Sequence, residues 1–211
     1  MRVGLFGGTF DPVHNGHLRV AEEVREQFSL ERVYFIPAFV QPLKQQVMVT
    51  AAADRFRMVE TATRSNTAFR ASGIEIRRGG VSYSIDTIRS FVARHHEVYF
   101  LVGLDAFSDI HLWKDFREIF VQAHLIVLVR PSRNEVKPEA VFPASVRPDV
   151  KAVDETTYEH RSGKRIYFHR VTQLDISSTK IRELARNGSS IKYLVSHGVE
   201  RFIEKRRLYR A

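Results

Sequence analysis

GLFGGTFDPVHNGHL, residues Gly4 to Leu18, decides the fold. The stretch starts apolar, crosses two adjacent glycines and a proline, and ends on His14 and His17 with Gly16 between them. Upstream, MRVGLF (Met1 to Phe6) reads as a strand. Downstream, Leu18, Ala21, Val24 and Phe28 recur at the three- and four-residue spacing of a helix face. A strand that passes through a Gly-rich turn into a helix is the opening unit of an α/β fold.

The alternation continues along the chain. VYFIPA (Val33 to Ala38), VYFLVG (Val98 to Gly103) and HLIVLV (His124 to Val129) are near-continuous apolar runs, the pattern of strands buried on both faces. FRASGIEI (Phe69 to Ile76) and RIYFHRV (Arg165 to Val171) are two further expected strands. Ala52, Phe56, Val59 and Thr63 line one expected helix, with Thr50 as a candidate N-cap. Ile85, Ile88 and Val92 line another that starts near Ser84. ISSTKIRELARNG (Ile176 to Gly188) is a helix with Ser177 at its start and Gly188 past its end. Residues Arg130 to Gly163 show no clear period and read as an insertion or loop. The expected fold is α/β: a Rossmann-like, doubly wound, mostly parallel sheet with helices on both faces and a small C-terminal helical region. One domain spans residues 1–211, with 177–211 as the C-terminal helical subregion.

Composition narrows the function. The 211 residues include no Cys, which excludes disulfides and thiolate metal sites. No run approaches the ~20 apolar residues of a membrane span, and no signal-peptide pattern opens the chain. The expected location is the cytoplasm. The net charge of +9 suits an anionic partner: nucleic acid, a membrane surface or a phosphorylated small molecule. A solvated basic surface is the plainer reading, and the dense run EKRRLYR (Glu204 to Arg210) reads as a solvated helix end.

In an open parallel sheet, ligands bind beyond the carboxyl ends of the strands, where GGTFDPVHNGH lies. It is neither a dinucleotide fingerprint nor a Walker loop. Gly7 and Gly8 let backbone amides come close to a ligand, Pro12 fixes the turn, and Asn15 is a candidate cap. His14 and His17 sit near a helix N-terminus, which attracts anions. A zinc pair is the rival reading, but it lacks a third ligand, and Asp11 nearby is as readily structural. The glycines, the helix start and the paired spacing together favour phosphate. Late in the chain, ISSTKIR supplies a second helix N-terminus, with Arg182 three residues after Thr179. Alone this is a capped helix with a basic side chain; beside the first site it is a candidate second phosphate clamp.

GGTFDPVHNGH and ISSTKIR together resemble the nucleotidyltransferase superfamily marked by H-x-G-H and a late S-S-T-x-x-R. Within it the chain is similar to the bacterial nicotinate-nucleotide adenylyltransferases. IPAFVQPLK, GGVSYSIDT, VGLDAF, LWKDF, AHLIVLVRP and the ending RRLYR match in order. Two positions depart from the pattern: Leu43 stands where the family has His, and Ser84 where it has Thr.

The resemblance implies transfer of the adenylyl group of ATP to nicotinate mononucleotide. The mononucleotide phosphate attacks directly and no covalent enzyme intermediate forms. It makes His14, His17 and Arg182 the catalytic residues. Gly7, Gly8, Thr9, Phe10, Lys44, Ser178 and Thr179 would hold ATP and phosphates. Ser84, Ile85, Asp105 and Trp113 would hold the mononucleotide. The first amides of the SYSIDT helix would face the nicotinate carboxylate, and Trp113, the single Trp, would stack on the pyridine ring. Mg²⁺ would accompany ATP, bridging phosphate oxygens with few protein ligands. The implied partners are these two small molecules, with no nucleic acid and no membrane; a homo-oligomer is compatible. Another transferase of the superfamily (for pantetheine phosphate or a cytidylyl acceptor) is one alternative. A silent nucleotide- or nucleic-acid-binding protein is the other.

Overall fold

β1 (Arg2–Gly8) runs through the middle of the sheet and delivers the Gly-rich turn to its carboxyl edge. The computed structural model describes residues 1–42, 49–95, 97–130 and 137–210. After β1 come α1 (Asn15–Gln27), β2 (Arg32–Pro37), α2 (Ala52–Thr63), β3 (Phe69–Ala71), α3 (Ile74–Arg78) and α4 (Ser84–Val92). Then follow β4 (Glu97–Gly103), α5 (Leu104–Ser108), α6 (Phe116–Gln122), β5 (His124–Val129) and α7 (Pro138–Val141). β6 (Val150–Ala152), β7 (Thr157–His160), β8 (Arg165–Arg170), α8 (Ser178–Arg186) and α9 (His197–Arg206) complete the chain. The strand order is β3-β2-β1-β4-β5-β8-β7-β6. β1 to β5 and β8 pair in parallel, while β7 runs antiparallel to both β8 and β6.

Side chains alternate between the two faces of this sheet. Val98, Phe100 and Val102 of β4 and Leu125 and Val127 of β5 point to the layer of α4, α5 and α6, against Ile85, Ile88, Phe107 and Ile119. Tyr99, Leu101, Ile126 and Leu128 point to the layer of α1, α2, α8 and α9, against Ala21, Val24, Met58, Val59, Ile181 and Ile203. Burial on both faces is why these strands read as continuous apolar runs. The doubly wound expectation holds, and the C-terminal helices form part of one helical layer.

The structure corrects four local expectations. Only Phe69–Ala71 of the expected strand Phe69 to Ile76 pairs; Ile74–Arg78 is helical. Ile-Glu-Ile looks like period two, but Glu75 is buried and accepts a 2.6 Å hydrogen bond from the Thr87 hydroxyl of α4. Residues Arg130 to Gly163 contain two strands, β6 and β7, at the sheet edge. The inward positions of β7 are Tyr158 and His160, too few and too mixed to show a period. Thr50 does not cap α2: the cap position is Ala51, and the Thr50 amide donates instead to Asp11 Oδ2 (3.1 Å). His14, not Asn15, is the cap residue of α1, and Asn15 Nδ2 donates to the Tyr193 carbonyl (2.7 Å). α8 ends as expected, with Ser177 Oγ accepting from the Lys180 amide (3.2 Å) and Gly188 left-handed at φ 69°.

Ile126 is fully buried in β5, and its truncation leaves a cavity against α1 and α8. Ile126→Ala is expected to cost about 3 kcal/mol in urea unfolding. A loss below about 1 kcal/mol would show that this face of the sheet is not a packed core.

Candidate active site

The turn after β1 is shaped by two rings lying on two glycines. A Cβ on Gly8 would come within 3.1 Å of the Phe10 ring, and one on Gly16 within 3.1 Å of His14 Nδ1. Phe10 adopts φ 50° and is buried, its ring 5.1 Å from that of His17. The side chain of Phe10 therefore props the histidines, and only its backbone is placed to meet a ligand. The His14 and His17 rings stack with centroids 3.6 Å apart. The His14 amide donates to His17 Nδ1 (3.2 Å), so in neutral His17 the ring proton sits on Nε2. His14 Nδ1 is buried and has no hydrogen-bond partner among the described residues.

Burial disfavours charge on both histidines. Burial, and then the Arg130 guanidinium, lower the His14 pKa to about 4. Burial, His14 and Arg130 together hold His17 well below the ordinary histidine value. An anion beside the rings would act against these terms, because it pairs with the imidazolium.

α8 closes the site from the other end of the chain. Ser178 Oγ donates to the Pro12 carbonyl (2.9 Å) and Arg182 Nη1 to the Asp11 carbonyl (2.7 Å). Arg182 Nη2 lies 3.3 Å from Thr179 Oγ1. The N-termini of α1 and α8 thus share one wall. Between them and the ends of β4 and β5 is a cavity of about 360 Å³, lined by His14, His17, Asp105, Arg130, Ser177 and Ser178 and by apolar Phe6, Leu104, Leu128 and Ile176.

A second group of expected residues stands on the other side of β1. A Cβ on Gly7 would meet the Phe100 ring at 3.9 Å, and Phe100 packs edge-on against half-buried Trp113 (6.1 Å). Trp113 is thereby linked to the Gly-rich turn through one ring. Ser84 opens α4, while Ile85 is wholly buried in the core and can offer a ligand only its backbone. Thr9 Oγ1 donates to Gln41 Oε1 (2.8 Å) and the Phe39 amide to Ser82 Oγ (2.9 Å), tying the turn, residues 38–42 and the start of α4 together. Asp105, expected with the mononucleotide, lines the cavity of the histidines. Lys44 and Leu43 lie outside the described residues.

The family model described as cytidylyltransferase-like matches residues 5–184. A Geotalea uraniireducens relative named "Probable nicotinate-nucleotide adenylyltransferase" is 43% identical over 212 residues, covering 99% of this chain and 98% of its own. A relative of the same name from Desulfatibacillum aliphaticivorans is 40% identical over 215 residues, covering 99% of this chain and all of its own. This chain belongs to the nicotinate-nucleotide adenylyltransferase family. In fold it is similar to Plasmodium falciparum nicotinic acid mononucleotide adenylyltransferase complexed with NaAD (TM-score 0.73, 16% identity, 99% of this chain and 97% of that one).

Sequence reading overlooked Arg130 and Arg55, and it left Asp11 as readily structural. Arg130 follows the last apolar residue of β5, at the ligand-binding edge of the sheet, and its position alone is the signal. Arg55 is 1% exposed and donates to the carbonyls of Thr50 (2.8 Å), Thr9 (2.8 Å) and Phe39 (3.1 Å). It stands four residues before Val59 on the buried stripe of α2, where a charged residue is out of place. Asp11 is 4% exposed and accepts from the Tyr209 hydroxyl (2.7 Å) and the Thr50 amide (3.1 Å), so its carboxylate is structural.

The unfolded chain binds a His14 proton near pH 6.5, whereas the folded site resists it until about 4. Burial of neutral His14 therefore contributes stability that is present above pH 6.5 and is lost as pH falls toward 4. Imidazole resonances of the ligand-free protein are expected to show His14 titrating near 4, with an upward shift when ATP is added. A free-state midpoint near 6.5 would contradict the buried pair.

Proposed function

We propose that this protein transfers the adenylyl group of ATP to nicotinate mononucleotide, forming nicotinate adenine dinucleotide and pyrophosphate, a step of NAD biosynthesis in the cytoplasm. The observation that carries this reading is the cavity on which the stacked His14–His17 pair and Ser177–Ser178 at the start of α8 converge. It occurs in a chain 43% identical, over nearly its whole length, to a relative bearing that enzyme name.

The chemistry asks for positioning. A phosphate oxygen of the mononucleotide attacks the α-phosphorus of ATP, and the bond to the β-phosphate bridging oxygen breaks. The electron pair leaves with pyrophosphate. The nucleophile is already an anion near neutral pH, so no side chain has to remove a proton. Holding two polyanions in line and stabilising charge on the leaving group is what remains. His17 Nε2–H, His14 and Arg182 would supply donors to the triphosphate, aided by Ser178, Thr179 and Arg130. Gly7, Gly8 and Thr9 would bring backbone amides to the transferred phosphate. Asp105, in the same cavity, would accept from ribose hydroxyls of ATP.

Among the described residues no three His, Asp or Glu side chains form a metal-holding group. The cavity is lined mainly by imidazole, hydroxyl and guanidinium groups, so Mg²⁺ would be held chiefly by the triphosphate, and Asp105 is the lining carboxylate that would add an oxygen donor. When bound, that ion would neutralise phosphate oxygens. On the other side of β1, the first amides of α4 would take the nicotinate carboxylate, with Trp113 against the ring.

His17→Ala is expected to lose about 100-fold or more in turnover while melting cooperatively like the parent. Turnover at the parent level would remove His17 from the phosphate site. Trp113→Ala is expected to raise KM for the mononucleotide more than KM for ATP; equal effects on both would take Trp113 out of the pyridine site.

A further inference from the structure

The ending RRLYR has no part in the chemistry above, yet its tyrosine reaches the catalytic turn. After α9 the backbone enters the left-handed region at Arg207 (φ 51°) and again at Tyr209 (φ 67°). Neither residue is glycine, so other contacts must hold this shape. What it achieves is to turn Tyr209 inward. The Tyr209 hydroxyl donates to Asp11 Oδ1 at 2.7 Å, across 198 residues of sequence. The ring packs on the core layer of α1, α2 and α8.

Asp11 passes this contact on. Its Oδ2 accepts from the Thr50 amide (3.1 Å), and its backbone carbonyl accepts from Arg182 Nη1 (2.7 Å). Arg55 holds the neighbouring Thr9 carbonyl (2.8 Å) and the Thr50 carbonyl (2.8 Å). Asp11 is therefore held at both carboxylate oxygens and at its carbonyl, and the carbonyl bond is the one to Arg182. Burial and the Asp11 carboxylate both push the Tyr209 phenol well above its ordinary value, so it stays a donor.

We propose that Tyr209 is a positioning residue for adenylyl transfer: its hydroxyl fixes Asp11, and Asp11 through its carbonyl fixes the guanidinium of Arg182. The proposal rests on the reading of Arg182 as a phosphate-binding group. The C-terminal tail is thus a strap that completes the site at the opposite end of the chain.

Tyr209→Phe keeps the ring and removes the hydroxyl with its bond to Asp11 and its 4.0 Å contact to Met58 Sδ. The measurements are steady-state kinetics with ATP and nicotinate mononucleotide for Tyr209→Phe, Arg182→Lys and the double variant, alongside thermal melting. The expected result is a fall of about fivefold to twentyfold in kcat for Tyr209→Phe, with both KM values within about twofold. The double variant is expected to be no slower than Arg182→Lys alone, because the two residues act in series. A kcat for Tyr209→Phe within about twofold of the parent, while Arg182→Lys is slow, overturns the strap and leaves the phosphate reading intact. Multiplying losses in the double variant overturn it as well. Parent-like turnover in Arg182→Lys overturns the phosphate reading itself, and the strap with it.

Discussion

Two hydrogen bonds join the ends of this fold: Ser178 Oγ to the Pro12 carbonyl at 2.9 Å and Arg182 Nη1 to the Asp11 carbonyl at 2.7 Å. They dock the start of α8 against the turn that starts α1. Each helix N-terminus on its own is a weak anion site. Set on one wall they bring together amides, imidazoles and a guanidinium, the donors that the proposed grip on a triphosphate needs. Everything else in the structure serves that docking. The parallel sheet delivers the turn and the segment before α8 to the same carboxyl edge. The layer of α1, α2, α8 and α9 then fixes how the two helices meet.

Holding charge ready has a cost before any ligand arrives. His14 Nδ1 is left without a partner, Arg55 is buried, and both histidines resist protonation. The neighbours absorb this cost by rigid support. Arg55 finds three carbonyls, Asp11 finds a hydroxyl and an amide, and the glycines under Phe10 and His14 leave room for rings that a Cβ would displace. A site whose work is alignment of two polyanions gains from such support, since little reorganisation is left for the reaction itself.

Much of this was legible in the sequence, for a physical reason. Strands buried on both faces leave long apolar runs, so β2, β4 and β5 announce themselves, and β8 shows as an alternating run of six; β6 and β7, of three and four residues, carry no such pattern. Glu75 made a helix look like a strand because its partner, Thr87, lies in another element. His14, His17, Ser178 and Arg182 could be read because their chemistry sits in compact motifs. Asp105 is legible as a site residue because it follows the end of a buried strand, and it lines the cavity of the histidines. Arg55, Arg130 and Tyr209 escaped because their partners are distant in sequence and their local surroundings look like an ordinary helix, strand end and tail. Phe10 and Ile85 show the converse: residues inside a motif whose side chains turn out to support the site from beneath.

The central claim is that the phosphate wall serves an acceptor bearing a pyridine carboxylate. Its most direct test is pyrophosphate release from ATP and Mg²⁺ with nicotinate mononucleotide and nicotinamide mononucleotide as parallel acceptors. Release with both histidines intact and a strong preference for the acid form are expected, because the first amides of α4 favour an anion. Equal rates with the two acceptors would contradict the carboxylate site, and no release with either would contradict the reaction.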